Sequence, residues 1–331
     1  MHAAKFLVAV ALGLTATLAR AAGFQFIEVP ADADGPALKG AMWFPCSERP
    51  DKIDLGPYTL SVAKDCPISG DKLPLVVVSH GRGGSFVNFY DVADTLAEAG
   101  FIVAAINHPG DTTSDRSRSD NLSAFVERPT DIKRLVSQML SASSAASTID
   151  PERIGFFGFS RGGYTGLVLI GANPDWAGAS EFCQRSSPPP PDVGRTPGQL
   201  CQQIRKKEFP LQPLAHDPRI KAAVVADPLA IFFTAESFAA VKIPVQVWAS
   251  ERGGDGVTPE SVAAVNRTLP TRHEYHVVPN SGHFAFVICP PAMAKAAPEI
   301  CTDAPGFDRV AFHKQLNADV VAFFQAELRG R

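Results

Sequence analysis

The sequence predicts an α/β chain built on a mainly parallel sheet with helices on both faces. Two observations carry this. Short, continuous apolar runs recur along the chain, and amphipathic stretches with helical spacing lie between them. Strands buried on both faces read as unbroken apolar runs, and parallel strands need helical crossovers. A third feature is a cysteine-bearing interruption at residues 173–219, expected as a disulfide-stapled, lid-like excursion over the sheet edge.

The elements follow in order. Residues 24–29 and 38–44 read as antiparallel edge strands. Leu-Val-Val-Val (75–78) is the first buried strand. Phe89, Val92, Ala93, Leu96 and Ala97 repeat at helical spacing, and Gly100 ends that helix. Phe-Ile-Val-Ala-Ala-Ile (101–106) is the next strand. Ile132, Leu135, Val136, Met139 and Leu140 mark a second helix. Ile-Gly-Phe-Phe (154–157) is a strand leading into a helix over 161–172. Strands at 222–225, 245–248 and 275–278 follow, with a helix near 259–267. Phe312, Leu316, Val320 and Phe324 mark a long final helix.

At the N-terminus, Lys5 precedes an apolar stretch over 6–18, and Ala19-Arg20-Ala21 supplies a small-x-small cleavage pattern. Residues 1–21 therefore read as a secretory signal peptide, with 22–331 as one domain. No other segment is long and apolar enough for a membrane span, so the expected location is periplasmic or secreted. Six cysteines in an exported chain imply disulfides, and pairing between neighbours is expected: Cys46–Cys66, Cys183–Cys201 and Cys289–Cys301. No Cys-x-x-Cys spacing occurs, which argues against zinc or redox chemistry. A formal net charge of −3 leaves no basic footprint for nucleic acid. The basic run Arg205-Lys206-Lys207 reads as a solvated loop.

The chemistry lies where an open parallel sheet places it, in loops after the strands. In Gly-Phe-Ser-Arg-Gly-Gly (158–163), Ser160 stands between glycines at −2 and +2, after a strand and before a helix. A sharp strand-to-helix turn strains the serine and exposes its hydroxyl, and flanking side chains would collide. A serine hydroxyl needs a base to become a nucleophile. His283, in Pro-Asn-Ser-Gly-His-Phe just past the last strand, is the expected base. His273, His276 and His313 are read as surface or packing residues. The acid that orients the base is expected at Asp255, in Gly-Gly-Asp-Gly-Val, with Asp227, in Ala-Asp-Pro, as the alternative and Glu251 as a weaker one. Each follows a strand, and the carboxylate not used would form a turn or cap. Fixed N–H donors for an oxyanion are expected from the backbones of Arg161 and Arg82, the latter in Ser-His-Gly-Arg-Gly-Gly (79–84). His80 is read as a structural residue orienting that loop. Asn-His-Pro-Gly-Asp (107–111) should wall the site. His108 and Asp111 without a third ligand make no metal centre, so no metal is expected. Phe232, Phe233, Phe284 and Phe286 either line an acyl pocket or belong to the core.

Gly-Phe-Ser-Arg-Gly-Gly, Ser-His-Gly-Arg-Gly-Gly with Phe-Ile-Val-Ala-Ala-Ile-Asn-His-Pro-Gly, and the His-Phe-Ala-Phe region resemble the α/β-hydrolase family. Within it they are most similar to the plasma-type platelet-activating-factor acetylhydrolase branch, which includes bacterial proteins labelled predicted dienelactone hydrolases. The resemblance runs from about residue 70 to 290 outside the excursion. It implies the α/β-hydrolase fold and a cofactor-free serine esterase or lipase acting through an acyl-enzyme on a small-molecule or lipid ester, with short acyl chains preferred. Dienelactone hydrolases carry cysteine where this chain has Ser160, so that substrate is not implied. In the acetylhydrolases the acid follows the strand after the nucleophile helix, which points to Asp227. In many other members it follows the next strand, which points to Asp255, the expected residue here. The rival readings are a phospholipid or polyester hydrolase of the same chemistry, and a non-catalytic binding protein on the same fold.

Overall fold

The computed structural model describes residues 21–179, 183 and 198–328. The expected signal peptide lies outside these residues apart from Ala21, as does the proline run within 186–191. Ten strands are present among the described residues: β1 (Ala21–Val29), β2 (Leu38–Cys46), β3 (Asp51–Leu55), β4 (Tyr58–Lys64), β5 (Leu73–Ser79), β6 (Ile102–Ile106), β7 (Ile149–Phe159), β8 (Ile220–Ala226), β9 (Val245–Ser250) and β10 (His273–Val278). The helices are α1 (Tyr90–Glu98), α2 (Ala124–Ser141), α3 (Arg161–Leu169), α4 (Gly198–Arg205), α5 (Pro259–Thr268), α6 (Pro291–Ala296), α7 (Pro298–Cys301) and α8 (Arg309–Glu327).

The strands form one sheet in the order β10-β9-β8-β7-β5-β6-β2-β1-β4-β3. The six strands from β6 to β10 through β5 pair in parallel, and β2 joins β6 antiparallel. Alternate residues of each buried strand face opposite layers. Leu75 and Val77 of β5 meet Ile132, Leu135, Val136 and Met139 of α2. Val76 and Val78 meet Val92 and Leu96 of α1 and Leu316, Val320 and Phe324 of α8. With apolar partners on both sides, every position of such a strand must be apolar, which is why these strands carry no alternation.

Three details depart from the sequence expectation. β1 and β2 are not the edge of the sheet, because the hairpin β3–β4 lies outside them and β4 pairs with β1. Its outer strand, Asp-Lys-Ile-Asp-Leu, is largely solvent-facing and polar, so it lacks an apolar signature. The hairpin closes at Gly56, whose φ of 63° a two-residue turn requires. Secondly, α2 begins at Ala124 and runs through Pro129, well before Ile132. Buried anchors hold its first turns: Phe125 in an aromatic cluster with Tyr164 and Phe232, and Arg128 in an ion pair with Asp111. Lastly, α3 stops at Leu169 rather than 172, and Gly171, with φ 116°, turns the chain away.

The three expected disulfides form. Cys46–Cys66 closes the β3–β4 hairpin onto β2, Cys183–Cys201 anchors α4, and Cys289–Cys301 ties α7 to the segment following β10. Gln203 of α4 accepts from Leu122 N–H and donates to Asp120 O, so the described end of the excursion docks on the segment that precedes α2. Arg205, Lys206 and Lys207 are exposed, as expected of a solvated run. The Cys46–Cys66 bond restrains a span of 20 residues at the sheet edge. Replacing both cysteines with alanine should lower the free energy of unfolding by about 3 kcal/mol, read from urea denaturation monitored by fluorescence.

Candidate active site

β7 passes into α3 through Ser160, which has φ 56° and ψ −117°. This is a conformation that non-glycine residues seldom adopt, and it is held by backbone bonds on both sides of the serine. Ser160 N–H donates to Ala226 O at 2.9 Å, and Leu229 N–H donates to Ser160 O at 2.9 Å, so the end of β8 clamps the turn. The helix start also presses against the end of β5. A Cβ on Gly162 would lie 1.9 Å from Ser79 O, and one on Gly158 would lie 2.3 Å from Gly162 O. No side chain fits at either position, which is the physical content of the Gly-x-Ser-x-Gly spacing.

His283 opens a short 3-10 turn, His283–Phe286, after β10. Its N–H donates to Gly253 O at 2.8 Å, and its ring stacks on Phe159 with centroids 4.6 Å apart. Its Nε2 is 2.9 Å from Ser160 Oγ, and its Nδ1 is 2.6 Å from Asp227 Oδ2. Asp227 is fully buried and has φ 43°. Its Oδ1 accepts from Ser250 N–H at 2.8 Å, and its Oδ2 accepts from Ser250 Oγ–H at 2.8 Å. Gly253 N–H donates to Ser250 Oγ, so the Ser250 hydroxyl hydrogen is left to face the carboxylate. A carboxylate only accepts, so Nδ1 carries the hydrogen shared with Asp227, and Nε2 accepts from the Ser160 hydroxyl.

The carboxylate on His283 is therefore that of Asp227, where the sequence reading had preferred Asp255. Asp255 occupies the tip of a two-residue hairpin, Gly254–Val257, closed by reciprocal backbone bonds of 2.9 Å. Asp255 and Gly256 have φ of 49° and 84°, the type I′ turn that Asp-Gly favours. That loop meets His283 through the Gly253 carbonyl. Glu251 is exposed and accepts from Asn280 N–H. Ser250 escaped the sequence reading; its only signal was a small polar residue ending an apolar strand. The other histidines lie elsewhere. His273 bonds Asn266, His276 stacks on Trp248, and His313 spans Asp91 and Ala285 O. Phe232 and Phe286 are core residues, whereas Phe233 and Phe284 are half-buried.

The loop after β5 lies beside the serine. Its turn closes with Gly84 N–H donating to Gly81 O at 3.2 Å, and a Cβ on Gly81 would lie 3.4 Å from Ser160 Cβ. The Arg82 side chain pairs outward with Asp120. Arg161 begins α3, where a first-turn N–H has no acceptor within the helix. His80 is buried beneath the turn. Its Nε2 accepts from His108 N–H, leaving Nδ1–H to donate to Gly81 O at 2.7 Å. Burial, aided by Arg128, pushes its pKa down to about 3, so it stays neutral in this role.

A second Ser-His-Asp chain lies at the end of β5. Ser79 Oγ lies 2.9 Å from His108 Nε2, and His108 Nδ1 lies 2.9 Å from Asp131 Oδ2. Distance alone does not distinguish it from the first. Ser79, however, has no exposed surface, lies in extended strand and accepts from the Arg128 guanidinium at 3.2 Å. Burial and then Arg128 hold the His108 pKa well below its ordinary value, and burial pushes Asp131 up to about 7. A histidine so hard to protonate beside a sealed hydroxyl is a poor base. Ser160, by contrast, sits at the tip of the strand-to-helix turn and keeps 5% of its area exposed. Among the described residues, no group of three or more His, Cys, Asp or Glu side chains could hold a metal ion. No described helix is long and apolar enough to cross a membrane.

Comparison with known proteins agrees with the architecture. The family model described as serine aminopeptidase, S33, matches residues 70–255, more than half of the chain. The candidate esterase NocK of Nocardia uniformis subsp. tsuyamanensis is 28% identical over 143 residues. That match covers 42% of this chain and 41% of NocK, so the chain spans well under half the length of this relative. The solved ferulic acid esterase from Streptomyces cinnamoneus shares the fold, with a TM-score of 0.61, 18% identity, and coverage of 96% of this chain and 92% of that one. On the family match and the sheet that carries it, the chain belongs to the serine aminopeptidase S33 family of α/β hydrolases.

Proposed function

We propose that the protein is a serine hydrolase that cleaves carboxylic esters through an acyl-enzyme, with Ser160, His283 and Asp227 as its catalytic residues. One observation carries the reading: a hydroxyl on a strained, glycine-flanked turn lies 2.9 Å from an imidazole whose other nitrogen meets a buried carboxylate at 2.6 Å. Ser160 Oγ attacks the acyl carbon while its proton passes to His283 Nε2. The backbone N–H groups of Arg82 and Arg161 hold the resulting oxyanion. Nε2–H then protonates the leaving alcohol, and water, deprotonated by the same nitrogen, releases the acid. Asp227 keeps Nδ1 protonated and stabilises the imidazolium, the role the sequence reading gave to Asp255.

Esters are favoured over peptides because both named relatives are esterases by description. The position of the carboxylate favours a narrower reading. Asp227 follows β8, the strand after the nucleophile helix, and that is the arrangement implied by the resemblance to the plasma-type acetylhydrolases. We therefore place the preferred substrates among short-acyl esters, with phospholipids bearing a short acyl group as the alternative. Three disulfides support an exported, periplasmic or secreted, protein.

Two experiments test this. A fluorophosphonate probe should label the wild type stoichiometrically and Ser79→Ala equally, and should leave Ser160→Ala unlabelled. A folded wild type that takes no label would favour a binding role for the fold. On p-nitrophenyl acetate, Asp227→Asn should lower kcat roughly 10⁴-fold, since the wrong tautomer of His283 is then stabilised. Asp255→Asn should change kcat less than about threefold, because His283 Nδ1 already has the Asp227 carboxylate as its partner. The reverse ranking would return the acid to Asp255. Comparing acetyl, butyryl and octanoyl esters with short-acyl phospholipids ranks the substrate classes.

A further inference from the structure

Asp111 ends the Asn-His-Pro-Gly-Asp stretch, which the proposed reaction leaves without a task. Its carboxylate has no exposed surface, and each of its oxygens has two donors. Oδ1 accepts from Gly83 N–H at 2.8 Å and from Ser119 Oγ–H at 2.7 Å. Oδ2 accepts from Arg128 Nη1 at 2.7 Å and from Arg161 Nη1 at 2.9 Å. Burial raises the pKa of this carboxyl, but Arg161, Arg128 and Ser119 together outweigh it and hold the pKa below the ordinary range. The group is therefore a fixed anion at neutral pH.

The identity of two donors matters. Gly83 directly follows Arg82, so a bond to Gly83 N–H fixes the Arg82–Gly83 peptide plane and, through it, the turn that presents the Arg82 N–H. Arg161 carries the other N–H, and its guanidinium is held by the same carboxylate while lying 4.6 Å from the centre of the Phe125 ring. Arg128 extends the tie by donating to Ser79 Oγ and to His80 O, at the root of the same loop. One carboxylate thus joins the loop after β5 to the start of α3, two segments far apart in sequence.

We infer that Asp111 is the positioning residue of the oxyanion hole: it sets the distance between the Arg82 and Arg161 N–H groups, without touching substrate. This rests on the proposed acyl transfer at Ser160. Donors must sit within a few tenths of an ångström of where the oxyanion forms, and displacement by about 1 Å can cost on the order of 100-fold in rate. An ion cluster that only stabilised the fold would be an inefficient device, because buried charge pairs often add little over apolar packing.

The test uses two variants. Asp111→Asn keeps the shape and removes the charge. Asp111→Glu keeps the charge opposite two buried arginines, which favours folding, and moves the carboxylate by one methylene. Fluorophosphonate titration counts competent sites, so that kcat refers to folded enzyme. Both variants should lose about 100-fold in kcat with KM changed less than threefold. Inhibition by a trifluoromethyl ketone, whose tetrahedral adduct places an oxyanion between the donors, should weaken in parallel. Normal ketone affinity, or a loss of turnover explained by fewer competent sites, would overturn the inference while leaving the role of Ser160 intact. Collapse of both variants would also overturn it, making Asp111 a folding residue. Turnover that survives Ser160→Ala would remove the proposed reaction and this inference together.

Discussion

The close backbone contact between Gly162 and the end of β5 constrains the turn that carries Ser160. The Gly162 position is so close to Ser79 O that even a methyl group would overlap it. Because α3 starts this close to its neighbouring strand, β7 must turn at a single residue, and that residue takes the strained conformation seen at Ser160. The strain, of order 1–3 kcal/mol, is sustained by the clamps from Ala226 and Leu229 and by a sheet packed on both faces. Everything proposed for the reaction requires the serine oxygen to be held outward in this way.

The same contact brings two Ser-His-Asp chains within one region, and physical chemistry separates them. Ser79 and His108 are buried under the loop that follows β5, with the Arg128 guanidinium donating to Ser79. His108 is pushed away from protonation there, whereas a base in acyl transfer must take up and release a proton within its pH range. The upper chain has a carboxylate with three polar partners of its own, Ser250 N–H, Ser250 Oγ–H and the His283 ring. Recognising a triad by distance alone would have returned both.

Charge is concentrated just below the proposed oxyanion site. Asp111, Arg128 and Arg161 form a buried cluster, continued by Ser79, His108 and Asp131, that links β5, β6, α2 and α3. Such a cluster orients groups at fixed distances, which apolar packing does less sharply because it is non-directional. On the proposed reading, the ordinary core supplies stability and this polar layer supplies the alignment of donors.

Much of this was legible in the amino-acid sequence, because the relevant constraints are local. Unbroken apolar runs give the central strands, since a strand covered on both faces has no polar side. Helical spacing gives α1 and α8. Gly158, Ser160 and Gly162 mark the strained turn in the sequence: although the clash at 162 is with Ser79 of β5 and exists only in the fold, the one that demands glycine at 158 is with the Gly162 carbonyl four residues on. Neighbouring cysteines gave the pairing for the same reason. The polar hairpin β3–β4 left little trace, as a solvent-facing strand needs no apolar signature. The choice between Asp227 and Asp255 was likewise beyond local patterning. Both follow strands of the sheet, and Asp255 even carries the stronger motif, but that motif encodes a type I′ turn. Only the packing of β8 against β9, which lays Ser250 over Asp227 and brings His283 from the far side of β10, decides which carboxylate meets the imidazole. Asp111 is the extreme case: its four donors come from four separate places in the chain, so its surroundings exist only once the chain has folded.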